Sequence, residues 1–201
     1  MISSFPIPDS LLVLHTSRLL LRPLTIADAP AIFNYAQNPE VTQFTGWETH
    51  RTVADSEFYI EQIVLPNYAS GKAFDWGIVL KANNQLVGVC GLVHIHPIHQ
   101  RAELGYSLGR TYWGQGLATE AAQAVISFGF HSLFLNRIEG KCHREHHRSA
   151  RVLTKLGMEF EGMLRQYMFV KGEFWDMAAY ALLKPHYGPT HLLPADWLIS
   201  S

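Results

Sequence analysis

The chemistry in this chain gathers in one stretch: Glu103-Leu104-Gly105-Tyr106-Ser107-Leu108-Gly109-Arg110-Thr111-Tyr112-Trp113-Gly114-Gln115-Gly116-Leu117-Ala118-Thr119-Glu120-Ala121. It reads as a strand, a glycine turn and the start of a helix. Glycines without Cβ let an anion approach the backbone closely. The unpaired N–H groups of a first helical turn, with the helix dipole, favour a phosphate at the same place. Without a ligand, the same turn is a tight way of joining a strand to a helix. Three phosphate-binding patterns bear on it. A Walker loop requires a Lys after its last glycine, and Leu117 follows Gly116. The dinucleotide fingerprint needs a small third residue where Thr119 stands, and it belongs on the first strand of a parallel βαβ unit. The third pattern is a pyrophosphate clamp in which the preceding strand also carries the ligand's arm.

Eleven histidines raise the question of a metal, with His94, His96 and His99 in one stretch and His143, His146 and His147 in another. His94 and His96 share a strand face, as two ligands can. They flank a loop and lack an evident carboxylate partner, so no metal is expected. His146 or His147 could instead titrate in an active site or acceptor groove near neutral pH. Cys90 and Cys142 fall within strands and read as buried thiols. Trp76, Trp113 and Trp175 read as core or cleft-wall residues, and Glu120 as a carboxylate favoured by the helix dipole.

The elements that position these groups follow from periodicity and punctuation. Pro6 and Pro8 make the first residues an extended arm. Arg18 to Leu24 is a short strand, and Thr25 and Asp28 offer caps for a helix through Ala36 that Asn38-Pro39 ends. A second helix runs from Val53 to about Tyr68, closed by Gly71, with Pro66 near its end. Phe74–Lys81 and Leu86–Ile95 form a hairpin, and Ala102–Leu108 returns as a third strand. A long amphipathic helix opens at Gly114 and Gly116, with Leu117, Ala121, Ala124, Val125 and Phe128 on one stripe. Arg137–His143 is a strand, Ser149–Leu156 a helix stopped by Gly157, and Phe160–Val170 with Phe174–Leu183 a closing hairpin. The order predicts an α/β domain around one mixed, mostly antiparallel sheet flanked by helices. The apolar residues Leu192, Leu193, Trp197 and Leu198 mark a C-terminal tail that packs on the body or on a partner subunit.

Composition narrows the class. The chain has 201 residues, 48% hydrophobic and 16% charged, enough for one domain that buries roughly 70% of its unfolded surface without a staple. Sixteen Lys and Arg against seventeen Asp and Glu leave a net charge of -1, so no general field draws polyanions and a nucleic-acid partner is not expected. Two cysteines without a CxxC pattern fit a reducing cytoplasm, and no run of about 18 apolar residues predicts a membrane span.

Several widely spaced blocks, in this order, resemble the GNAT superfamily of acetyltransferases, and within it the RimJ/RimL branch of ribosomal-protein N-terminal acetyltransferases. They are RLLLRPLT, AELGYSLGRTYWGQGLATEA, LNRIEGKCHREHHRSARVLTKLGMEFEG and YMFVKGEFWDMAAYALL, together spanning most of residues 18 to 184. The resemblance implies an arm over 1–17, a catalytic domain over 18–185 and a tail over 186–201. It implies a sheet whose fourth and fifth strands splay apart with acetyl-CoA between them. The pyrophosphate would lie on the N–H groups of Gly114, Gln115, Gly116, Leu117, Ala118 and Thr119. The pantetheine arm would pair with the backbone near Ser107 and Leu108. His146 stands where the family often has an Asn that contacts CoA.

The resemblance also implies roles. Glu103 lies on the strand beside the expected thioester and is the candidate general base, directly or through water. Its structural alternative is a strand-end carboxylate paired with Arg101 or Arg110. Ser149 occupies the position from which the branch offers a hydroxyl to the thiol sulfur, unless it is only the helix N-cap. Leu153 replaces a tyrosine that serves many members as general acid, and Met168 stands where some ribosomal-protein members carry a carboxylate. The implied reaction is acetyl transfer to a primary amine, foremost a protein N-terminal α-amine, by a monomer or homodimer. A small-amine acetyltransferase and a non-catalytic acyl-CoA sensor remain as alternatives.

Overall fold

The structure, a computed structural model, describes residues 13–188. Eight strands form one sheet: β1 (Leu14–His15), β2 (Leu19–Pro23), β3 (Phe74–Leu80), β4 (Gln85–His96), β5 (Arg101–Leu108), β6 (Arg137–His143), β7 (Glu159–Val170) and β8 (Glu173–Leu183). Their order is β1-β2-β3-β4-β5-β6-β8-β7. Neighbours are antiparallel except β5 and β6, which run parallel.

Helices cover both faces. On one side lie α1 (Ala29–Ala36), α2 (Pro39–Thr42), α3 (Val53–Tyr59) and α4 (Leu65–Ser70). On the other lie α5 (Leu117–His131) and α6 (His147–Lys155). Because successive strand residues point to opposite faces, each strand serves two cores. Phe74, Trp76, Cys90, Leu92 and Leu104 pack under α5, where the Trp76 and Phe128 rings meet edge to face at 5.2 Å. Val79, Leu86 and Val89 face Ile32, Ile60 and Val64 on the opposite side.

Three elements differ from the sequence reading, each for a local reason. The helix read as Val53–Tyr68 is α3 and α4 joined by a π-helical turn over Ile60–Val64. Pro66 has no N–H to give the previous turn, and the wider turn accommodates that missing bond. Gly71 then ends α4 in the left-handed region at φ 65°. Pro39 opens the short α2 rather than merely ending α1, with the Asn38 side chain accepting from the Glu40 N–H at 2.9 Å. The helix read from Ser149 begins two residues earlier, at His147. Ser149 is therefore inside α6 and is not its cap.

The arm expected over 1–17 delivers β1, which pairs along the edge of β2. Pro6, Pro8 and the tail residues Leu192, Leu193, Trp197 and Leu198 lie outside the described residues. At the start of that tail, the Tyr187 ring packs 5.0 Å from Phe130. No helix among the described residues is long and apolar enough to cross a membrane.

The feature that makes a site is the parting of β5 and β6. Their pairing runs from Arg101 opposite Arg137 to Leu104 opposite Gly140 and then stops. Both strands continue, to Leu108 and to His143, so a V-shaped gap opens in the sheet. Gly140 lets α6 sit close at the fork, since a Cβ there would lie 2.6 Å from Cδ2 of Leu153.

Candidate active site

The glycine turn leads out of the open arm of this V. Gly114 and Gly116 both adopt φ 77°, a region that side-chain-bearing residues avoid. A Cβ on Gly114 would meet nothing within 4 Å, and one on Gly116 would meet only the Arg18 guanidinium at 3.6 Å. The concave backbone is therefore open to a ligand. Within α5 the first hydrogen bond runs from the Glu120 N–H to the Gly116 carbonyl at 3.0 Å. The N–H groups of Leu117, Ala118 and Thr119 have no partner in their own helix, as anion binding requires.

Side chains brace the turn. The Arg18 guanidinium donates to the Gln115 carbonyl at 3.0 Å, and Gln115 donates its side-chain N–H to the Thr111 carbonyl at 3.0 Å. The Trp113 indole donates to the Leu108 carbonyl at 2.7 Å, so a pantetheine arm would use the remaining backbone groups of Gly105 to Leu108. Trp113 is held between two guanidinium groups, Arg110 at 4.9 Å and Arg148 at 5.0 Å from the ring centre. An open glycine cradle with cations at its rim fits a pyrophosphate. Glu120, read as a simple dipole carboxylate, collects hydrogen bonds from Thr16, Ser17 and Arg18.

The two faces of the V carry different chemistry. Toward α5 and α6, the Tyr106 hydroxyl and Ser149 Oγ lie 2.8 Å apart, and burial pushes the Tyr106 phenol well above its usual range. The Cys142 thiol also hydrogen-bonds to Ser149. Ser149 is buried and shares its hydroxyl with a protonated phenol, which can donate toward charge that develops nearby. Leu153 fills the core beneath. A tyrosine therefore reaches this hydroxyl after all, from β5 and not from α6.

Toward α1 and α3, β5 presents Glu103, Gly105 and Ser107. Glu103 accepts from Lys141 Nζ at 2.6 Å, with His94 Nδ1 at 3.4 Å. The expected partners are engaged elsewhere: Arg101 with Glu139 at 3.4 Å and Arg110 with Glu40 at 2.8 Å. Lys141 also reaches Glu139 at 3.3 Å, and Arg137 joins Glu139 to Glu161. Any amine entering here must share Glu103 with an ammonium already in place. Above Gly105 a Cβ would meet nothing within 4 Å, so the face beside the fork is open. Ser107 is hydrogen-bonded to Tyr35, whose phenol burial pushes up to about 12.

His146 ends the turn before α6. Its ring stacks on Phe44 at 4.8 Å, and Phe44 stacks in turn on His143 at 5.0 Å. Burial, helped by the nearby His143, Arg148 and His147, lowers His146 to about 4. It is neutral at pH 7 and does not titrate near neutrality. Met168 lies near Gly46, 3.7 Å from where its Cβ would be, and brings no carboxylate. Among the described residues, no group of three or more His, Cys, Asp or Glu side chains is arranged to hold a metal ion.

Sequence reading missed Tyr106, Lys141, Arg18, Arg148 and Asp75. Asp75 carried a signal, being a lone charge inside the apolar strand Phe74–Leu80. For the others, the partner is distant in sequence and no local pattern marks it.

Comparison with known proteins agrees with this geometry. The family model described as an acetyltransferase (GNAT) domain matches residues 18–159. An uncharacterized N-acetyltransferase of Bacillus licheniformis, p20, is 38% identical over 87% of this chain and 97% of its own length. The spermidine N(1)-acetyltransferase of Escherichia coli K12 is 26% identical over 89% and 93%. The ribosomal protein uS5-alanine N-acetyltransferase of the same organism is 28% identical over 61% and 63%. The crystal structure of a GNAT-family acetyltransferase from Bacillus anthracis superposes with a TM-score of 0.76 at 28% identity, covering 86% of this chain and 99% of that one. A family match over most of the chain, on a sheet that forks beside a glycine turn, makes this protein a member of the GNAT family of acetyl-CoA-dependent N-acetyltransferases.

Proposed function

We propose that the acceptor is the α-amine of a protein N-terminus, acetylated by a cytoplasmic monomer or homodimer. The observation that carries this reading is the open face over Gly105, which has carboxylates on its own side and the Tyr106–Ser149 hydroxyl pair on the other. Acetyl transfer needs an amine that loses a proton and a sulfur that departs with its charge stabilised. An α-amine with a pKa of about 7.8 is roughly a tenth neutral at pH 7, whereas a lysine at about 10.4 is neutral in well under a thousandth of molecules. A site built on carboxylates serves the first far more easily.

In this reading acetyl-CoA supplies the activated acetyl group. The backbone from Gly114 to Thr119 holds its phosphates, Ser107 and Leu108 flank its arm, and His146 lines the channel wall. Ser149, backed by Tyr106, hydrogen-bonds to the departing sulfur. Glu103 accepts a hydrogen bond from the incoming amine and aligns it, with Lys141 holding the carboxylate in place. The similarity to the uS5-alanine enzyme supports a protein acceptor. The similarity to spermidine N(1)-acetyltransferase favours a second reading, a small polyamine.

Purified protein with acetyl-CoA should be presented with N-terminal peptides, lysine peptides with blocked N-termini, spermidine and other small amines, and free thiol followed. Fastest turnover on peptides with a free α-amine is the expected result. Faster turnover on spermidine or another small amine would overturn it in favour of the second reading.

A further inference from the structure

We propose that Asp75 takes the proton from the acceptor ammonium, while Glu103 aligns the amine. The inference rests on the α-amine reading above and names a residue for which neither the family resemblance nor the sequence pattern supplies a role.

The geometry begins with a row across the sheet. Asp75 on β3 stands opposite Gly91 on β4, and Gly91 opposite Gly105 on β5. All three face α1 and α3, away from the α5 core. The carboxylate leans across β4: a Cβ on Gly91 would collide with the Phe74 carbonyl oxygen and lie 2.5 Å from Oδ1 of Asp75. Gly105 is one strand further on, about 4.8 Å away, and the space above it is open. Two glycines in succession thus clear a path from the Asp75 carboxylate to the fork. Side chains on either strand would close it.

The groups that feel the Asp75 charge are Tyr35 from α1, Tyr59 from α3 and Tyr68 from α4, with Cys90 of β4 on the other face of the sheet. Burial raises the pKa of each, so each stays neutral. The Tyr68 hydroxyl donates to the Asp75 backbone carbonyl rather than to its carboxylate. Among the described residues no cation offsets the charge, and desolvation pushes the carboxyl up to about 6. Asp75 is only partly buried, so its carboxylate is not sealed in. A structural carboxylate in such a position would be paired. This one is kept unpaired and open to the cleft, while Glu103 is tied to Lys141.

The step balances. An ammonium N–H proton passes to a carboxylate oxygen of Asp75, and the nitrogen lone pair so released forms the bond to the acetyl carbon. The tetrahedral adduct then gives up its second N–H proton, which passes through water and Ser149 to the sulfur as the carbon–sulfur bond breaks with its electron pair on sulfur. Asp75 returns its proton to solvent, so one proton is released for each acetyl moved. From an α-ammonium the transfer to Asp75 is uphill by about 2 pKa units, and from a lysine by about 4. The gap between the two comes from the amines themselves, and it favours the α-amine.

Two measurements test this on the full chain. In the first, Asp75→Asn and the parent are compared on the parent's best acceptor. The variant should lose about 10²–10⁴-fold in kcat at pH 7, keep its acetyl-CoA affinity by calorimetry, and lose the acid limb near pH 6 that the parent shows. An unchanged rate and limb would overturn the proposal. In the second, the Asp75 carboxyl is titrated by carbon NMR in protein without substrate. A midpoint near 6 is expected, and an ordinary one near 4 would overturn it even if the parent acetylates nothing tested. If spermidine is the better acceptor but both results for Asp75 hold, the acceptor reading fails and the proton route stands.

Discussion

Replacing Asp75 by Asn makes a prediction about stability that needs no substrate. The folded carboxyl sits at about 6 because burial penalises its charge, while the unfolded group has its ordinary value of about 3.9. A raised folded value means that the stabilising contribution is fully present below about pH 4 and is lost as pH rises through 6. At pH 7 the charged form costs on the order of 3 kcal/mol, from about two units at about 1.4 kcal/mol each. Other groups act in the opposite direction: His146, lowered to about 4, and His50, also lowered by burial, destabilise the fold as pH falls below about 6.5. The parent's own pH profile therefore mixes both signs, and the difference between variant and parent isolates Asp75. Relative to the parent, Asp75→Asn should gain about 1 kcal/mol between pH 5 and pH 7.5, with most of the remaining gain below pH 5. For a chain of this length 1 kcal/mol is worth roughly 2–4 °C in Tm. Urea or thermal unfolding of both proteins across that range would read it. A difference that stays flat with pH would mean that the carboxylate is paired or solvated, and the reasoning about its burial would be wrong.

Other outcomes follow from the same geometry. Gly116→Val, placed at φ 77° in the glycine turn, should abolish measurable acetyl-CoA binding in calorimetry while circular dichroism shows a folded protein. Ser149→Ala and Tyr106→Phe should each lower kcat, and the double variant should be little worse than either, because the two hydroxyls act as one unit. Glu103→Gln should raise the acceptor KM more than it lowers kcat, as expected of an aligning group. Gly91→Ala should cost about 1–3 kcal/mol of stability from backbone overpacking and should shift the Asp75 titration, both readable by unfolding and NMR.

Much of the architecture was legible because local signals agreed with it. Alternation in Ala102–Leu108, the glycine turn and the stripe on the following helix all hold where the structure places them. The boundaries that moved were those where a local rule competed with packing. Ser149 has the chemistry of a cap, but the Tyr106 hydroxyl and the core draw it inside α6. Pro66 blurred where the helix from Val53 ends, and a π turn just before it lets the helix continue to Ser70, with Gly71 closing it. The site was less readable than the fold. Tyr106 and Ser149 are 43 residues apart, and Glu103 and Lys141 are 38 apart. Such pairs exist only once β5 and β6 lie side by side. Asp75 was visible as an anomaly in an apolar strand, yet its meaning depends on Gly91 and Gly105 standing in its row.

The clasp at the start of α5 reaches beyond the glycine turn itself. Glu120 binds Thr16, Ser17 and the Arg18 N–H, and Arg18 in turn binds the Gln115 carbonyl. The segment just before β2 is thus fastened to the glycine turn, about a hundred residues later in the chain. The two are linked by hydrogen bonds, so loosening that segment would remove the brace on the Gln115 carbonyl. Coenzyme affinity would then depend on Thr16 and Ser17, just ahead of residues 18–159 that the family model matches.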